Sequence, residues 1–221
     1  MDYRKPVLLV ISGPNGAGKS THVSTMLPDT FSGIQCFDRD YTRLLFQEKL
    51  KISGKVPEAE LMVLATRMME ATLQQAMDEA IAAKSNFVLE TPLSHPDYWL
   101  YIDRFVTNGY QIQLNYLCLD KISDCITRVA QRVMEGGHYV DPRTIRNVYE
   151  TNLQHVNDYH DIFHIIELYD GMVRPVLLVK MQGGKIVFAK ETALKKKWIK
   201  SGLPSIAKKI TLFLGANKKM I

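Results

Sequence analysis

Residues 13–20 read Gly13-Pro14-Asn15-Gly16-Ala17-Gly18-Lys19-Ser20, which fits the pattern G-x-x-x-x-G-K-[ST] at every fixed position. Glycines let the backbone curl so that successive N–H groups point at one anion, and the helix that begins at such a loop adds the positive end of its dipole. The lysine of this pattern reaches the β- and γ-phosphates, and the Ser hydroxyl binds Mg²⁺. The stretch therefore predicts a phosphate-binding loop (P-loop) for a nucleoside triphosphate with Mg²⁺.

The flanking sequence supports this interpretation. Pro6–Ile11 is a continuous apolar run, typical of a buried parallel strand, and a helix is predicted from Lys19 to just before Pro28. A dinucleotide-binding fingerprint is excluded, because Ser20-Thr21 stands where its third glycine is required. We predict that Lys19 is also catalytic and that Ser20 is the metal ligand. The predicted nucleotide-binding residues are Gly13, Pro14, Asn15, Gly16, Ala17, Gly18, Lys19, Ser20 and Thr21.

Strand-like and helix-like segments alternate along most of the chain. Apolar runs predict further strands at Ile34–Phe37, Phe87–Leu89, Gln111–Leu119 and Phe163–Leu168. Apolar spacing and end signals predict helices at Pro57–Lys84, Pro96–Thr107, Lys121–Glu135 and Pro142–Tyr159. This alternation predicts an α/β fold, a three-layer sandwich of the P-loop NTPase type with a mostly parallel central sheet.

Size and composition are those of an ordinary globular protein. The chain has 221 residues, of which 46% are hydrophobic. The run Val7–Ile11 is too short to cross a bilayer and leads into a glycine loop, so neither a membrane span nor a signal peptide is expected. Cys36, Cys118 and Cys125 form no CxxC pair and no metal-finger spacing. A cytoplasmic location is therefore expected.

Two aspartates follow the second predicted strand. Ligands bind beyond the carboxyl ends of parallel strands, beside the P-loop, and an aspartate there can take the proton of an acceptor hydroxyl as a phosphoryl group arrives. Asp40 is our candidate base, and Asp38 is the second choice. An N-cap of a helix over Tyr41–Leu50 is the alternative role for such an aspartate, and both roles are compatible with one position.

Glu90 and Thr91 end the third predicted strand and could hold a magnesium-bound water or the acceptor. For Thr91, a capping or turn role before Pro92 is an equal alternative. We group Asp38, Arg43, Glu90 and Thr91 as candidate substrate-binding residues.

Arginines cluster on both sides of the glycine corner Gly136-Gly137. Arg128 and Arg132 share one face of a predicted helix, and Arg143 and Arg146 follow on the next helix. Two helices that carry arginines and meet at a glycine corner are typical of a lid, here at about residues 128–146, because arginine forks suit the charge of a transferring phosphoryl group. Ion pairs with local acids are the alternative. All four arginines are candidates for the lid role.

The motifs narrow the class of nucleotide-binding protein. The only Asn-Lys pair is Asn217-Lys218, followed by Lys219-Met220, so the N-K-x-D element of GTPases is missing, and nothing resembles the L-S-G-G-Q signature of ABC ATPases. What remains suits an enzyme like a nucleoside monophosphate kinase.

The C-terminal part differs in charge from the rest of the chain. Residues 1–170 carry a net charge of −6, whereas residues 171–221 carry +11 with Glu191 as their only acid. Val176–Met181 and Lys185–Ala189 predict a hairpin, and a basic, helical extension follows over 191–221. We expect a P-loop kinase-like domain over 1–190. The extension is either a solvated lysine-rich helix or a surface for nucleic acid, a membrane or an acidic partner.

Together these segments resemble the zeta-toxin-like family of P-loop kinases, especially its chromosomal branch of ATPases. The resemblance covers most of residues 6–190. It is carried by residues 13–21, the Asp40 segment, Leu89-Glu90-Thr91-Pro92-Leu93-Ser94, Arg128-Val129, Arg132-Val133, Gly136-Gly137-His138, Val140, Ile145-Arg146, Tyr149, Asp158-Tyr159 and Leu168-Tyr169-Asp170.

The resemblance implies ATP-dependent phosphorylation of a small acceptor, which for toxins of the family is a UDP-linked amino sugar. It also implies that Asp40 is the base, Lys19 the phosphate lysine, and Arg132 and Arg146 the lid arginines. An antitoxin-like protein partner is a further implication. The chain departs from the branch at Asn147-Val148, where further arginines are expected. Two alternatives remain: a nucleotide-dependent switch with weak hydrolysis, and a protein that acts on nucleic acid through the basic tail.

Overall fold

The structure is a computed structural model that describes residues 4–137 and 139–218. Within these residues, the strands form one sheet in the order β2-β3-β1-β4-β5-β6-β7. They are β1 (Val7–Ser12), β2 (Cys36–Asp38), β3 (Phe87–Glu90), β4 (Gln111–Cys118), β5 (Ile165–Asp170), β6 (Val176–Gln182) and β7 (Lys185–Ala189). The first five strands pair in parallel and the last two antiparallel, which confirms the mostly parallel sheet and the C-terminal hairpin.

The helices lie on both faces of this sheet. They are α1 (Lys19–Met26), α2 (Arg39–Ser53), α3 (Glu58–Ala83), α4 (Pro96–Thr107), α5 (Ile122–Met134), α6 (Pro142–Asp158), α7 (Lys197–Lys200) and α8 (Pro204–Lys218). β1 explains the layering, because all of its residues are buried and alternate side chains face opposite sides. Leu8 and Val10 join the larger core, and Leu9 and Ile11 join a smaller core beside α1. The predicted three-layer α/β fold is confirmed.

The second strand begins two residues later and ends one residue later than predicted. Ile34 is still in a turn, since its amide donates to the carbonyl of Phe31 at 3.0 Å. The strand instead begins at Cys36 and includes Asp38, which pairs with Glu90 of β3. Asp38 therefore ends the strand, and Asp40 lies in the first turn of α2.

The residues after 170 extend the same sheet and pack into the same core. The hairpin extends the sheet beyond β5, and the segment after residue 190 contributes buried residues to the larger core. These are Ala193, Trp198, Ile199, Leu203, Ile206, Ala207 and Ile210. Some of the lysines pair with acids of the preceding part, as Lys196 does with Asp170 and Lys209 with Asp161. The basic segment is thus helical, as predicted, and amphipathic.

Candidate active site

The P-loop joins β1 to α1, and two of its glycines lie very close to neighbouring backbone. Gly13 and Gly16 have φ angles of 145° and 78°. A Cβ atom at these positions would lie 2.0 Å from the carbonyl oxygen of Leu117 and 2.3 Å from that of Cys125. No described side chain caps the N-terminus of α1, so its first amides point into the loop without a side-chain acceptor. The loop has the shape and the free donors that a phosphate group requires.

Lys19 is folded over this loop. Its Nζ donates to the carbonyl oxygens of Gly13 at 2.9 Å and Pro14 at 3.1 Å, and it lies 3.9 Å from a carboxylate oxygen of Glu90. The ammonium group is therefore held within the loop, where it can exchange these carbonyls for phosphate oxygens.

Ser20, Asp38 and Glu90 meet at the carboxyl ends of β2 and β3. The Ser20 hydroxyl lies 3.2 Å from Asp38 Oδ2, and 3.2 and 3.3 Å from the two carboxylate oxygens of Glu90. Burial raises the pKa of the Glu90 carboxyl to about 7, while the charge of Lys19 lowers it and that of Asp38 raises it. Two carboxylates and a hydroxyl at one point are hard oxygen ligands of the kind that Mg²⁺ prefers.

Of the two aspartates, Asp38 takes the capping role that the sequence analysis considered. Asp38 caps α2, since its Oδ1 accepts from the amide of Tyr41 at 2.9 Å. Asp40 is 60% exposed and pairs with Arg43 at 3.1 Å. It lines both the P-loop cavity of about 400 Å³ and a neighbouring cavity of about 360 Å³. Asp40 thus lies between the two cavities.

The neighbouring cavity contains residues that the sequence analysis did not identify. Tyr98 from α4 and Tyr139 from the loop before α6 line it together with Arg43, Ser94 and Thr144. Thr91 is not among its lining residues: its side chain is buried, accepts from Arg39 at 3.4 Å and donates to the carbonyl of Pro92 at 3.2 Å. The turn role considered for Thr91 therefore describes its position in the structure.

The structure does not bring all the predicted lid arginines into one cavity. Arg132 lines the P-loop cavity. Arg128 also lies there, but its guanidinium donates to the carbonyls of Ala17 at 3.4 Å, Gly171 at 3.0 Å and Met172, so it ties the P-loop to the segment after β5. Arg146 lines neither cavity; its side chain is 60% exposed and lies 3.7 Å from Glu150. The local ion pair that was the alternative for the arginines is therefore observed for Arg146. His138 lies outside the described residues.

The described residues 4–137 and 139–218 include no cluster of three or more His, Cys, Asp or Glu side chains that could hold a metal. No helix in the same residues has the length and apolar character needed to cross a membrane.

The fold and this site define a P-loop kinase-type protein. The sequence profile of the zeta toxin family matches residues 1–186, and the chain belongs to that family, as the sequence resemblance indicated. A search of the curated proteins finds no significant match.

Solved structures share the fold at low sequence identity. A chain of the AvrRxo1-ORF1:AvrRxo1-ORF2 complex with sulphate ions has a TM-score of 0.63 and 15% identity, over 90% of this chain and 64% of that one. The same complex with ATP gives a TM-score of 0.62 and 14% identity, over 87% of this chain and 63% of that one. A chain of the PezAT chromosomal toxin–antitoxin system of Streptococcus pneumoniae has a TM-score of 0.58 and 15% identity, over 94% of this chain and 88% of that one. This chain therefore spans just under two thirds of the AvrRxo1 chains it matches.

Proposed function

We propose that this protein is a Mg²⁺-dependent kinase that transfers the γ-phosphoryl group of ATP to a hydroxyl of a small acceptor. The observation that carries the proposal is the position of Asp40, which borders both the P-loop cavity and the cavity lined by Tyr98 and Tyr139. A switch that only binds and releases nucleotide has no need for a carboxylate between two such cavities.

The residues around Ser20 fit a magnesium ion. Ser20 and Glu90, with Asp38 beside them, would hold it directly or through water, since the Ser20 hydroxyl lies 3.2–3.3 Å from carboxylate oxygens of both acids. When bound with ATP, Mg²⁺ neutralises charge on the β- and γ-phosphates. Lys19 and the amides of the P-loop hold the same phosphates from the other side.

Asp40 supplies the base in this proposal. The acceptor oxygen attacks the γ-phosphorus, the bond from that phosphorus to the β–γ bridging oxygen breaks, and the acceptor proton passes to the Asp40 carboxylate. Arg132, which lines the P-loop cavity, supplies positive charge as the phosphoryl group moves. Arg146 can take part only if its pairing with Glu150 is exchanged for substrate.

The neighbouring cavity, at about 360 Å³, is in the range of small-molecule sites. Aromatic rings from Tyr98 and Tyr139 and the cation of Arg43 suit an acceptor with a planar ring and an anionic group. Among acceptors with these features, a UDP-linked amino sugar or another nucleotide-like molecule is our proposal.

The test is ADP release from Mg-ATP with a panel of acceptors: UDP-amino sugars, nucleosides, nucleotides and RNA with a 5′-hydroxyl. One acceptor is expected to raise turnover in the wild type and not in Asp40→Asn. A slow hydrolysis that depends on Lys19 and is the same with every acceptor would favour the second candidate, a nucleotide-dependent switch. The exposed position of Arg146 is the observation that favours that candidate.

A protein partner of the antitoxin type is part of the same proposal. It is supported by the likeness to a chain of the PezAT toxin–antitoxin system. Co-purification with the product of a neighbouring reading frame tests it; a protein that stays monomeric when the two are co-expressed would contradict it.

A further inference from the structure

Arg39 is a buried cation at the start of α2, between Asp38 and Asp40. Its side chain is only 11% exposed, and it is the first residue of the helix. A positive charge is unfavourable at a helix N-terminus, and a buried charge is costly unless it is paired with good geometry. Its position therefore needs an explanation from its contacts.

The guanidinium of Arg39 connects three other parts of the fold. Nη2 lies 2.5 Å from Glu70 Oε1 on α3 and 3.3 Å from the Tyr101 hydroxyl on α4, while Nη1 donates to the Thr91 hydroxyl after β3 at 3.4 Å. The Tyr101 hydroxyl in turn donates to the other oxygen of Glu70 at 2.7 Å. The guanidinium also lies over the ring of Tyr98, at 4.6 Å from its centroid.

Beyond Arg39, α2 packs along α3, but none of its residues is fully buried. The two aspartates beside Arg39 need a fixed position: Asp38 contacts Ser20 of the P-loop, and Asp40 faces both cavities. Tyr98, on which Arg39 lies, lines the second cavity.

We propose that Arg39 is a positioning residue, which fixes the start of α2 so that Asp40 and Asp38 are aimed at the P-loop and Tyr98 at the acceptor cavity. The proposal rests on the kinase function proposed above. A misplacement of about 1 Å in a catalytic group can reduce the rate about 100-fold. Removing the Arg39 guanidinium should therefore lower kcat by that order, because Asp40 and Asp38 would no longer be held toward the P-loop.

The chain provides a matched control in Arg104. This arginine also joins α4 to α3, through Asp78 and Gln74, but it lines neither cavity, and its side-chain hydrogen bonds within the described residues go to α3. Arg39→Met and Arg104→Met each remove one link between the same two helices. Only the first also removes the link to α2 and to Thr91.

The experiment compares Arg39→Met, the double variant Arg39→Met/Glu70→Met, and Arg104→Met by kcat, KM for ATP and Tm. Removing one partner of a buried ion pair is destabilising, whereas replacing both by apolar residues is often neutral. The double variant is therefore expected to regain the Tm lost by Arg39→Met but not its kcat. Recovery of kcat together with Tm, or an equal loss of kcat in Arg104→Met, would overturn the proposal.

A second readout keeps this test separate from the kinase proposal. Hydrogen exchange of the Tyr41 amide, which donates to Asp38, reports on the start of α2 without any substrate. It is expected to accelerate about tenfold or more in Arg39→Met and in the double variant, but not in Arg104→Met. If the wild type transfers no phosphoryl group, the kinase proposal fails. Unchanged exchange at Tyr41 would overturn the positioning role by itself.

Discussion

The P-loop binds the charged side chain of Lys19. Its Nζ is bound to two loop carbonyls, so the positive charge is already in place before a nucleotide arrives. Loss of one such electrostatic contact at the transferring group costs about 100- to 1000-fold in rate. We expect Lys19→Met to lose at least that much of the ADP release from Mg-ATP. Lys55→Met, in the exposed loop between α2 and α3, should retain wild-type turnover.

Glu90 makes the metal-free protein sensitive to pH. Burial disfavours the charged form and raises the pKa of the Glu90 carboxyl from its unperturbed value of 4.5 to about 7 in the folded protein. Between these values the folded protein keeps a proton that the unfolded chain has lost, so stability falls as pH rises from about 4.5 to 7. Glu90→Gln has no proton to lose. With a chelator present, the free energy of unfolding of Glu90→Gln should exceed that of the wild type by about 3 kcal/mol at pH 8 and by much less at pH 5.

Urea unfolding at both pH values measures this difference. Glu150→Gln is the control, because that carboxylate is well exposed and should change neither value by more than about 0.5 kcal/mol. A gain for Glu90→Gln that is the same at pH 5 and pH 8 would show that protonation of this group is not its cause.

At the residue scale, the sequence identified the groups whose spacing is local. Lys19 and Ser20 are fixed by one continuous motif, and Asp38, Asp40 and Glu90 by the rule that ligands lie at strand ends. Arg39 and Tyr98 could not be found this way. Their roles depend on partners in α3 and α4 that are distant in the sequence. Arg146 differs, because its spacing suits the predicted lid but its side chain lies beside Glu150 and outside the cavity.

Among the elements, α5 connects the P-loop to the segment after β5 through Arg128. Its guanidinium donates to three backbone carbonyls, which holds Ala17 close to Gly171 and Met172. Hydrogen bonds from a charged group are worth about 1.5–3 kcal/mol, or at least about tenfold in an equilibrium. Arg128→Met should therefore weaken nucleotide binding by about tenfold, as measured by titration with a fluorescent ATP analogue.

Arg67→Met is the control for this prediction, since Arg67 is exposed on α3. Equal nucleotide affinities in the two variants would mean that the hydrogen bonds of Arg128 do not contribute to nucleotide binding.

The element bounds were predictable where end signals are strong. α4 has the predicted bounds, because His95 and Pro96 begin it and Asn108-Gly109 ends it. β2 was misplaced, because only three residues form it and the turn at Ile34 is set by Phe31 rather than by composition. The start of α2 was placed too late for a related reason: Asp38, not a later aspartate, is the cap.

For the molecule as a whole, the C-terminal segment decides how far the core extends. Ile210 on α8 is fully buried in the larger core, whereas Leu212 two residues later is 67% exposed. Ile210→Ala should lower the free energy of unfolding by about 2–5 kcal/mol, and Leu212→Ala by less than about 0.5 kcal/mol. Urea unfolding of the two variants provides the comparison. If both changes had equally small effects, α8 would be a dispensable addition.

The contribution of this segment to the core was not predicted from the sequence, because its many lysines dominate its composition. The lysines suggested a solvated or ligand-binding helix, but Ile206, Ala207 and Ile210 recur at helical spacing and define a buried stripe between them. The fold class, by contrast, followed from the alternation of strands and helices, because a parallel sheet needs crossover helices.

The central claim is that Asp40 transfers an acceptor proton while the P-loop holds ATP. The most direct measurement is the fate of the label from γ-³²P-ATP, with Mg²⁺ and the acceptor panel, in the wild type, Asp40→Asn and Lys19→Met. We expect the wild type to form a labelled phosphomonoester of one acceptor. Asp40→Asn should lose about 100-fold or more of that product while it still binds nucleotide. Label recovered only as inorganic phosphate, or an Asp40→Asn variant as active as the wild type, would contradict the account.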